Sequence, residues 1–141
     1  MKQKHVEMYL RVAEEVAKTS SANRLKVGAV AVNPLKNIPV SFGYNALPEG
    51  VDGSCEYETE NGLVTRPEVV HAEHNMILNM SKSTESSWGA WVFLTHSPCQ
   101  KCSEMMVRAG IKKVFYVNEY RDTTPLKYLK RQGIEVEHVK I

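Results

Sequence analysis

Between Trp91 and Val139 the chain alternates short apolar runs of strand type with amphipathic helical runs, and no other feature restricts its fold as strongly. Trp91 to Thr95 reads as a strand, and Ser97-Pro98 opens a helix that closes at Gly110. Serine there is the expected N-cap, and proline fits the first helical position, where its missing N–H is not needed. Lys113 to Asn118 is again strand-like, Pro125 to Arg131 is a short helix ended by Gly133, and Ile134 to Val139 is a last strand. Strands joined by such helical crossovers lie parallel, and the crossovers are right-handed in nearly all proteins. The alternation therefore predicts an α/β sheet covered by helices on both faces.

The earlier half adds a helix and a hairpin. Val6, Tyr9, Leu10, Ala13, Val16 and Ala17 recur at spacings near three and four, which predicts an amphipathic helix over residues 5–18. Val27 to Val32 is short and valine-rich, ends at Asn33-Pro34, and is followed after a brief turn by Ile38 to Phe42, giving two strands as a hairpin. Residues 43–68 carry Gly, Pro, Asn and Asp without periodicity and read as one long loop, a feature that in compact domains tends to be functional. Pro67 to Met80 then reads as a helix. A chain of 141 residues is the length of one domain, 1–141, with one site to find.

Composition removes several classes of function. Hydrophobic residues at 43% and charged residues at 24% are the balance of a folded soluble domain. No apolar run reaches transmembrane length, and the first residues carry acidic groups within their apolar pattern and no small-residue cleavage site, so neither a membrane span nor a secretory signal is expected. A net charge of +2 without a basic stripe lends no support to a nucleic-acid partner. Three cysteines cannot all pair within the chain, and two stand in a C-x-x-C, which favours metal or redox chemistry and a reducing, cytoplasmic setting.

The chemistry concentrates in two strings, His71-Ala72-Glu73 and Pro98-Cys99-Gln100-Lys101-Cys102. His71, Cys99 and Cys102 supply one imidazole and two thiols, three ligands, the number that a catalytic zinc takes while leaving its fourth position to water. A structural zinc would need a fourth protein ligand. His74 is the one nearby candidate, and a surface or subunit-contact role is assigned to it because ligation would block the water site. Zinc brings its water towards a neutral pKa, and a nearby carboxylate, Glu73, carries protons between water, ring nitrogen and departing amine. The order H-x-E followed by P-C-x-x-C is the signature of zinc nucleobase deaminases, and each half is weak without the other. Residues two apart on a helix point to nearly opposite sides, so His71 and Glu73 can share a metal only if it lies over the helix end. There the helix dipoles favour thiolate and hydroxide.

With those strings the chain resembles the deoxycytidylate deaminases of the cytidine deaminase superfamily, and more closely their small phage-type members. The likeness runs from about Ser20 to Arg121. It rests on Lys26-Val-Gly-Ala-Val30, on Gly43-Tyr44-Asn45 with Pro48 and Gly50, on His71-Ala-Glu73 with Asn75, and on Ser97-Pro-Cys99 with Cys102. It implies a three-layer α-β-α fold with a mixed five-stranded sheet and hydrolysis of dCMP to dUMP and ammonia, a step that supplies thymidylate synthesis. It further implies substrate contacts at Asn45, facing the sugar, and at Ala72. A hexamer, activation by dCTP with magnesium and inhibition by dTTP are implied too, with Gly43, Tyr44, Ala46, Pro48 and Gly50 as the regulatory loop. The chain departs from the family at Ala46, where glycine is common, and at His74, where a less polar residue is usual. An alanine forced to positive φ would cost roughly 1 kcal/mol or more.

A substrate phosphate needs cations, and ligands of open α/β sheets gather beyond the carboxyl ends of the strands. Tyr120 and Arg121, just past the fourth strand, and Arg24 and Lys26, just before the first, are the phosphate candidates. His5, His96 and His138 are expected to be ordinary histidines, Cys55 a packed thiol, and Met76, Met80, Met105 and Met106 core or subunit packing. Two other readings compete: a superfamily deaminase acting on cytidine, dCTP or tRNA adenosine, and a non-catalytic zinc module.

Overall fold

The structure, a computed structural model, describes residues 1–141. Its elements run α1 (Gln3–Lys18), β1 (Gly28–Asn33), β2 (Ile38–Tyr44), β3 (Glu56–Thr59), β4 (Gly62–Thr65), α2 (Ala72–Met80), β5 (Trp91–His96), α3 (Gln100–Arg108), β6 (Lys113–Asn118), α4 (Thr124–Arg131) and β7 (Glu135–His138). Five strands form one mixed sheet in the order β2-β1-β5-β6-β7. β1 pairs antiparallel with both β2 and β5, whereas β5 with β6 and β6 with β7 are parallel. The α/β architecture, with its opening hairpin and later parallel strands, is thus the one predicted.

Side chains alternate across each strand, and this alternation sorts the core into two layers. Val30, Val32, Phe93 and Phe115 meet Val6, Tyr9, Leu10 and Ala13 of α1, with the Phe93 and Phe115 rings stacked at 4.6 Å. The intervening residues Ala29, Ala31, Val92, Leu94 and Val114 face the other way, onto Met76 of α2, Met106 of α3 and Leu126 and Leu129 of α4. The step from β5 to β6 and that from β6 to β7 run in the same direction across the sheet, so crossovers of one hand deliver α3 and α4 to the same face. α1 lies alone on the opposite face.

Two glycines set how closely helices approach the hairpin. A Cβ on Gly28 would lie 2.0 Å from the Ala13 carbonyl oxygen of α1, and one on Gly43 would lie 2.3 Å from the Met76 nitrogen and 2.4 Å from the Ala72 oxygen of α2. α2 is tied to the same strand by polar groups. Ser41 Oγ donates to the Met76 carbonyl at 2.8 Å, Asn75 Nδ2 to the Tyr44 carbonyl at 2.9 Å and Asn79 Nδ2 to the Phe42 carbonyl at 2.7 Å. The start of α2 is therefore registered against the end of β2.

The long-loop reading of residues 43–68 is corrected: it contains the separate hairpin β3–β4, whose turn Glu60-Asn61 ends at Gly62 with φ 101°. Asn-Gly is a strong hairpin signal, but the flanking strands are four residues each and β4 is exposed throughout, so no alternation marks them. The helix expected from Pro67 starts only at Ala72, because Val70 is held in a bridge to Ala46. The helix expected to be capped by Ser97 is capped instead by Cys99. Ser97 is buried, its N–H donates to the Asn118 carbonyl at 2.8 Å, and its Oγ accepts from the Tyr120 N–H at 2.9 Å. It ties the loop after β5 to the loop after β6.

Candidate metal and nucleotide site

Because β1 runs antiparallel to β5, its beginning lies at the carboxyl end of β5, and Ala29 pairs with Leu94. The end of β2 lies there as well, with Gly28 opposite Tyr44. Topology therefore gathers the segment before β1, the segment after β2 and the loops after β5 and β6 at one edge of the fold. Thr95 and Asn118 fasten the join. The Gly28 N–H donates to Thr95 Oγ1 at 3.0 Å, and Asn118 Nδ2 donates to the Thr95 carbonyl at 2.8 Å. His96 Nδ1 lies 2.8 Å from the same Thr95 hydroxyl. Burial lowers the pKa of His96, which favours the neutral ring there.

His71 is the N-cap of α2 and Cys99 the N-cap of α3, so two helix starts converge on one point. His71 Nδ1 lies 3.5 Å from Cys99 Sγ and 3.4 Å from Cys102 Sγ, and the three ligand atoms all fall within 4.8 Å of one another. Glu73, in the first turn of α2, is buried at 4% exposure. His74 is exposed and stands apart from this cluster.

Protons are shared unevenly within the cluster. The Cys99 thiol is lowered to about 4 by hydrogen bonding with Cys102 and then His71, while the Cys102 thiol is pushed up by its bond to Cys99 and by burial. His71 is raised by the same contact with Cys99. Burial lifts Glu73 to about 7, with the charge of Cys99 adding to it and that of His71 opposing it. One imidazole and two thiols, one of which gives up its proton readily, are a donor set that zinc prefers. The Nδ1–Sγ separations of 3.4 and 3.5 Å match the edge of a tetrahedron whose bonds are about 2.0–2.3 Å. The residues fit the ion.

Beside this cluster opens a cavity of about 440 Å³. Its wall includes His71, Ala72, Glu73 and Cys99 at one end, with Asn45, Arg24 and Tyr120 among the other residues. Asn45 Oδ1 accepts from the Val27 N–H at 2.9 Å and Nδ2 donates to the Leu25 carbonyl at 2.8 Å, so it braces the segment before β1 and keeps one N–H for a ligand. Tyr120 is raised to about 12, first by burial and then by the charges of Glu73 and the cysteine pair, and it stacks on His96 at 5.7 Å. It is a phenol donor at neutral pH.

The other phosphate candidates divide. Arg24 lines the cavity, with Nη1 donating to Thr65 Oγ1 at 3.1 Å. Lys26 is turned back to the Ser20 carbonyl, and Arg121 is exposed and does not line the cavity. Cys55 is a buried thiol 3.7 Å from Ser21 Oγ, as expected of a packed cysteine.

Sequence reasoning missed Glu56. It sits in the misread loop, is 6% exposed and lines the cavity, and the only signal for it was an acid next to Cys55 in a loop of unusual length.

Gly43, Tyr44, Ala46 and Pro48 line a second cavity of about 480 Å³ on the other side of the segment after β2. Gly50 lies just beyond, with φ 82°. The penalty expected for alanine at position 46 does not arise. Ala46 exchanges backbone hydrogen bonds with Val70 at 3.1 and 2.8 Å, and Asn37 is the one non-glycine residue with positive φ.

Comparison with known proteins gives a consistent picture. Residues 3–118 match the family described as the cytidine and deoxycytidylate deaminase zinc-binding region. ComE operon protein 2 of Bacillus subtilis is 34% identical over 131 residues, covering 89% of this chain, and this chain spans 66% of that relative's length. Deoxycytidylate deaminase of Mycobacterium phage D29 is 32% identical over 124 residues, which are 80% of this chain and 94% of the phage protein. The crystal structure of dCMP deaminase from cyanophage S-TIM5, in complex with dCMP and dUMP, superposes with a TM-score of 0.90 at 42% identity and covers 99% of both chains.

Proposed function

Because the chain belongs to the cytidine and deoxycytidylate deaminase zinc-binding family, we propose that it hydrolyses the 4-amino group of dCMP, giving dUMP and ammonia. The observation that carries this reading is the meeting of three zinc-type ligands with one buried carboxylate at the end of a nucleotide-sized cavity. His71, Cys99 and Cys102 would hold the ion, which would supply a Lewis acid able to make a water nucleophilic near neutral pH. Glu73 takes a proton from that water. Its carboxyl passes that proton to N3 of the cytosine ring, then takes the remaining proton of the added hydroxyl and gives it to the departing amine, a task suited to a buried carboxyl whose affinity for protons is raised. The carbon–nitrogen bond at C4 breaks as the carbon–oxygen bond is completed.

Orientation falls to other residues of the cavity wall. Arg24 and the Tyr120 phenol, both lining the cavity, would receive the 5′-phosphate, and Asn45 would offer its free N–H to the sugar. Arg121 belongs to this set only if a ligand draws it in from solvent. Ala72 packs at the ring end, beside Glu73.

The same reading includes regulation and assembly. The second cavity, sharing the segment from Gly43 to Pro48 with Asn45, is where a dCTP bearing magnesium would activate and dTTP would inhibit. Exposed Ile38 and Phe42 on the edge strand β2 suit burial between subunits of a hexamer. Ligating thiols must stay reduced, which is the condition of the cytoplasm, and the dUMP formed would feed thymidylate synthesis. The test is ammonia release from dCMP, dCTP, CMP, cytidine and tRNA under one set of conditions. The reading expects kcat/KM to be highest for dCMP; preference for any other member of the panel overturns it.

A further inference from the structure

Glu56 begins β3 at the wall of the first cavity and is more than nine-tenths buried. One of its oxygens is fully occupied: Oε2 accepts from the N–H groups of Asn23 and Arg24 at 2.9 and 3.0 Å. The other, Oε1, is shielded from solvent and has no hydrogen-bond partner. A carboxylate oxygen left dry and unpaired is costly, and such groups in native folds mark a place where something else completes the bond. The two backbone N–H groups fix Oε2, and a small pivot about it would bring Oε1 to a donor in the cavity.

The chemistry of the ligand decides what that donor is. This step rests on the proposed dCMP reading. Cytosine carries one hydrogen-bond donor, its 4-amino group, and that group must sit at the His71–Cys99–Cys102 cluster. The phosphate is an acceptor and is repelled by a carboxylate. The single donor left on a deoxynucleoside 5′-monophosphate is its 3′-hydroxyl. We propose that Glu56 Oε1 accepts the substrate's 3′-hydroxyl and so makes this a deaminase of nucleotides with a free 3′ end. A nucleotide carrying a 3′-phosphate has no proton to offer there and sets a second anion against the Glu56 carboxylate. Glu56 therefore also bars cytosines inside a nucleic-acid strand, each of which is linked through its 3′ oxygen.

The experiment compares kcat/KM for dCMP, 2′,3′-dideoxycytidine 5′-monophosphate and deoxycytidine 3′,5′-bisphosphate in the parent, Glu56→Gln and Glu56→Ala, each loaded with zinc. A hydrogen bond to a charged acceptor predicts that the parent favours dCMP over the dideoxy nucleotide by about 10- to 100-fold and rejects the bisphosphate more strongly. Glu56→Ala should lose activity on dCMP until the two monophosphates lie within about threefold of each other. Glu56→Gln keeps an oxygen for Asn23 and Arg24 while removing the charge, and should regain the bisphosphate by at least tenfold relative to dCMP. A merely structural role would lower all three substrates together and leave their ratios unchanged, which overturns the proposal. If Glu56→Ala does not fold, the Gln variant and the parent ratios decide. A parent that treats dCMP and its dideoxy analogue alike removes Glu56 from the sugar while leaving the dCMP reading intact, whereas a parent inert towards dCMP overturns both.

Discussion

His71 and Cys99 are N-caps of two different helices, and His71 Nδ1 lies 3.5 Å from Cys99 Sγ. An N-cap side chain sits over the helix end and not along its flank, so both groups point into the gap between α2 and α3. The same placement lets Glu73, two residues into the first turn, reach that gap as well. Both helix N-termini present their positive dipole ends to the two sulfurs.

One zinc per chain should follow from this arrangement, with His74 taking no part. Metal analysis of Cys102→Ala is expected to show most of the zinc lost, and His74→Ala should keep the parent's stoichiometry. Removal of zinc by a chelator should lower the melting temperature of the parent and barely move that of Cys102→Ala.

Glu73→Gln should retain zinc and fold while turnover of dCMP falls by about a hundred- to ten-thousand-fold, since the amide keeps the shape but takes up no proton. The metal-free protein offers a second readout. Burial raises Glu73 from 4.5 to about 7, so the folded chain binds its proton more tightly than the unfolded chain does. That contribution is fully present below pH 4.5 and is lost as pH rises through about 7. In denaturant titrations of metal-free samples, Glu73→Gln should lose this decline and exceed the parent's stability above pH 7.

His96 works in the opposite direction. Burial lowers its pKa from 6.5, so the unfolded chain takes up the proton more readily, and stability present above pH 6.5 is lost as pH falls through the folded value. His96→Asn, whose amide oxygen replaces Nδ1 opposite the Thr95 hydroxyl, should flatten the fall in denaturation midpoint between pH 7 and pH 5.

Gly28→Ala and Gly43→Ala both force a methyl group into helix backbone, and each should destabilise the fold by about 1–3 kcal/mol or more. Their effects on the metal should differ. Gly43 abuts the first turns of α2, where His71 and Glu73 are set, so Gly43→Ala should weaken zinc binding in a competition titration with a chromophoric chelator. Gly28 abuts α1 on the opposite face, and its variant should bind zinc as the parent does.

Arg24→Ala should raise KM for dCMP far more than KM for deoxycytidine, because the loss is of a charge-assisted contact to phosphate. Arg121→Ala, starting from an exposed side chain outside the cavity, should raise the two KM values by similar, small factors. Steady-state kinetics on both substrates distinguishes the two arginines.

The division between sequence and tertiary structure follows the range of the interactions involved. Short-range signals were legible: the strand and helix alternation after Trp91, the hydrophobic stripe of α1, and two strings whose spacing suits zinc. Each depends on residues a few positions apart. Contacts across the chain were not. Ser97 looks like a helix cap until Tyr120, 23 residues away, claims its hydroxyl, and Ala46 looks strained until Val70 pairs with it as extended backbone. Glu56 looks like a loop acid until folding carries it against the N–H groups of Asn23 and Arg24, more than 30 residues distant. The sequence by itself determined which groups were available for the chemistry. Only the antiparallel placing of β1 beside β5 decided which of them share one cavity, because a sheet brings opposite ends of distant strands to the same edge.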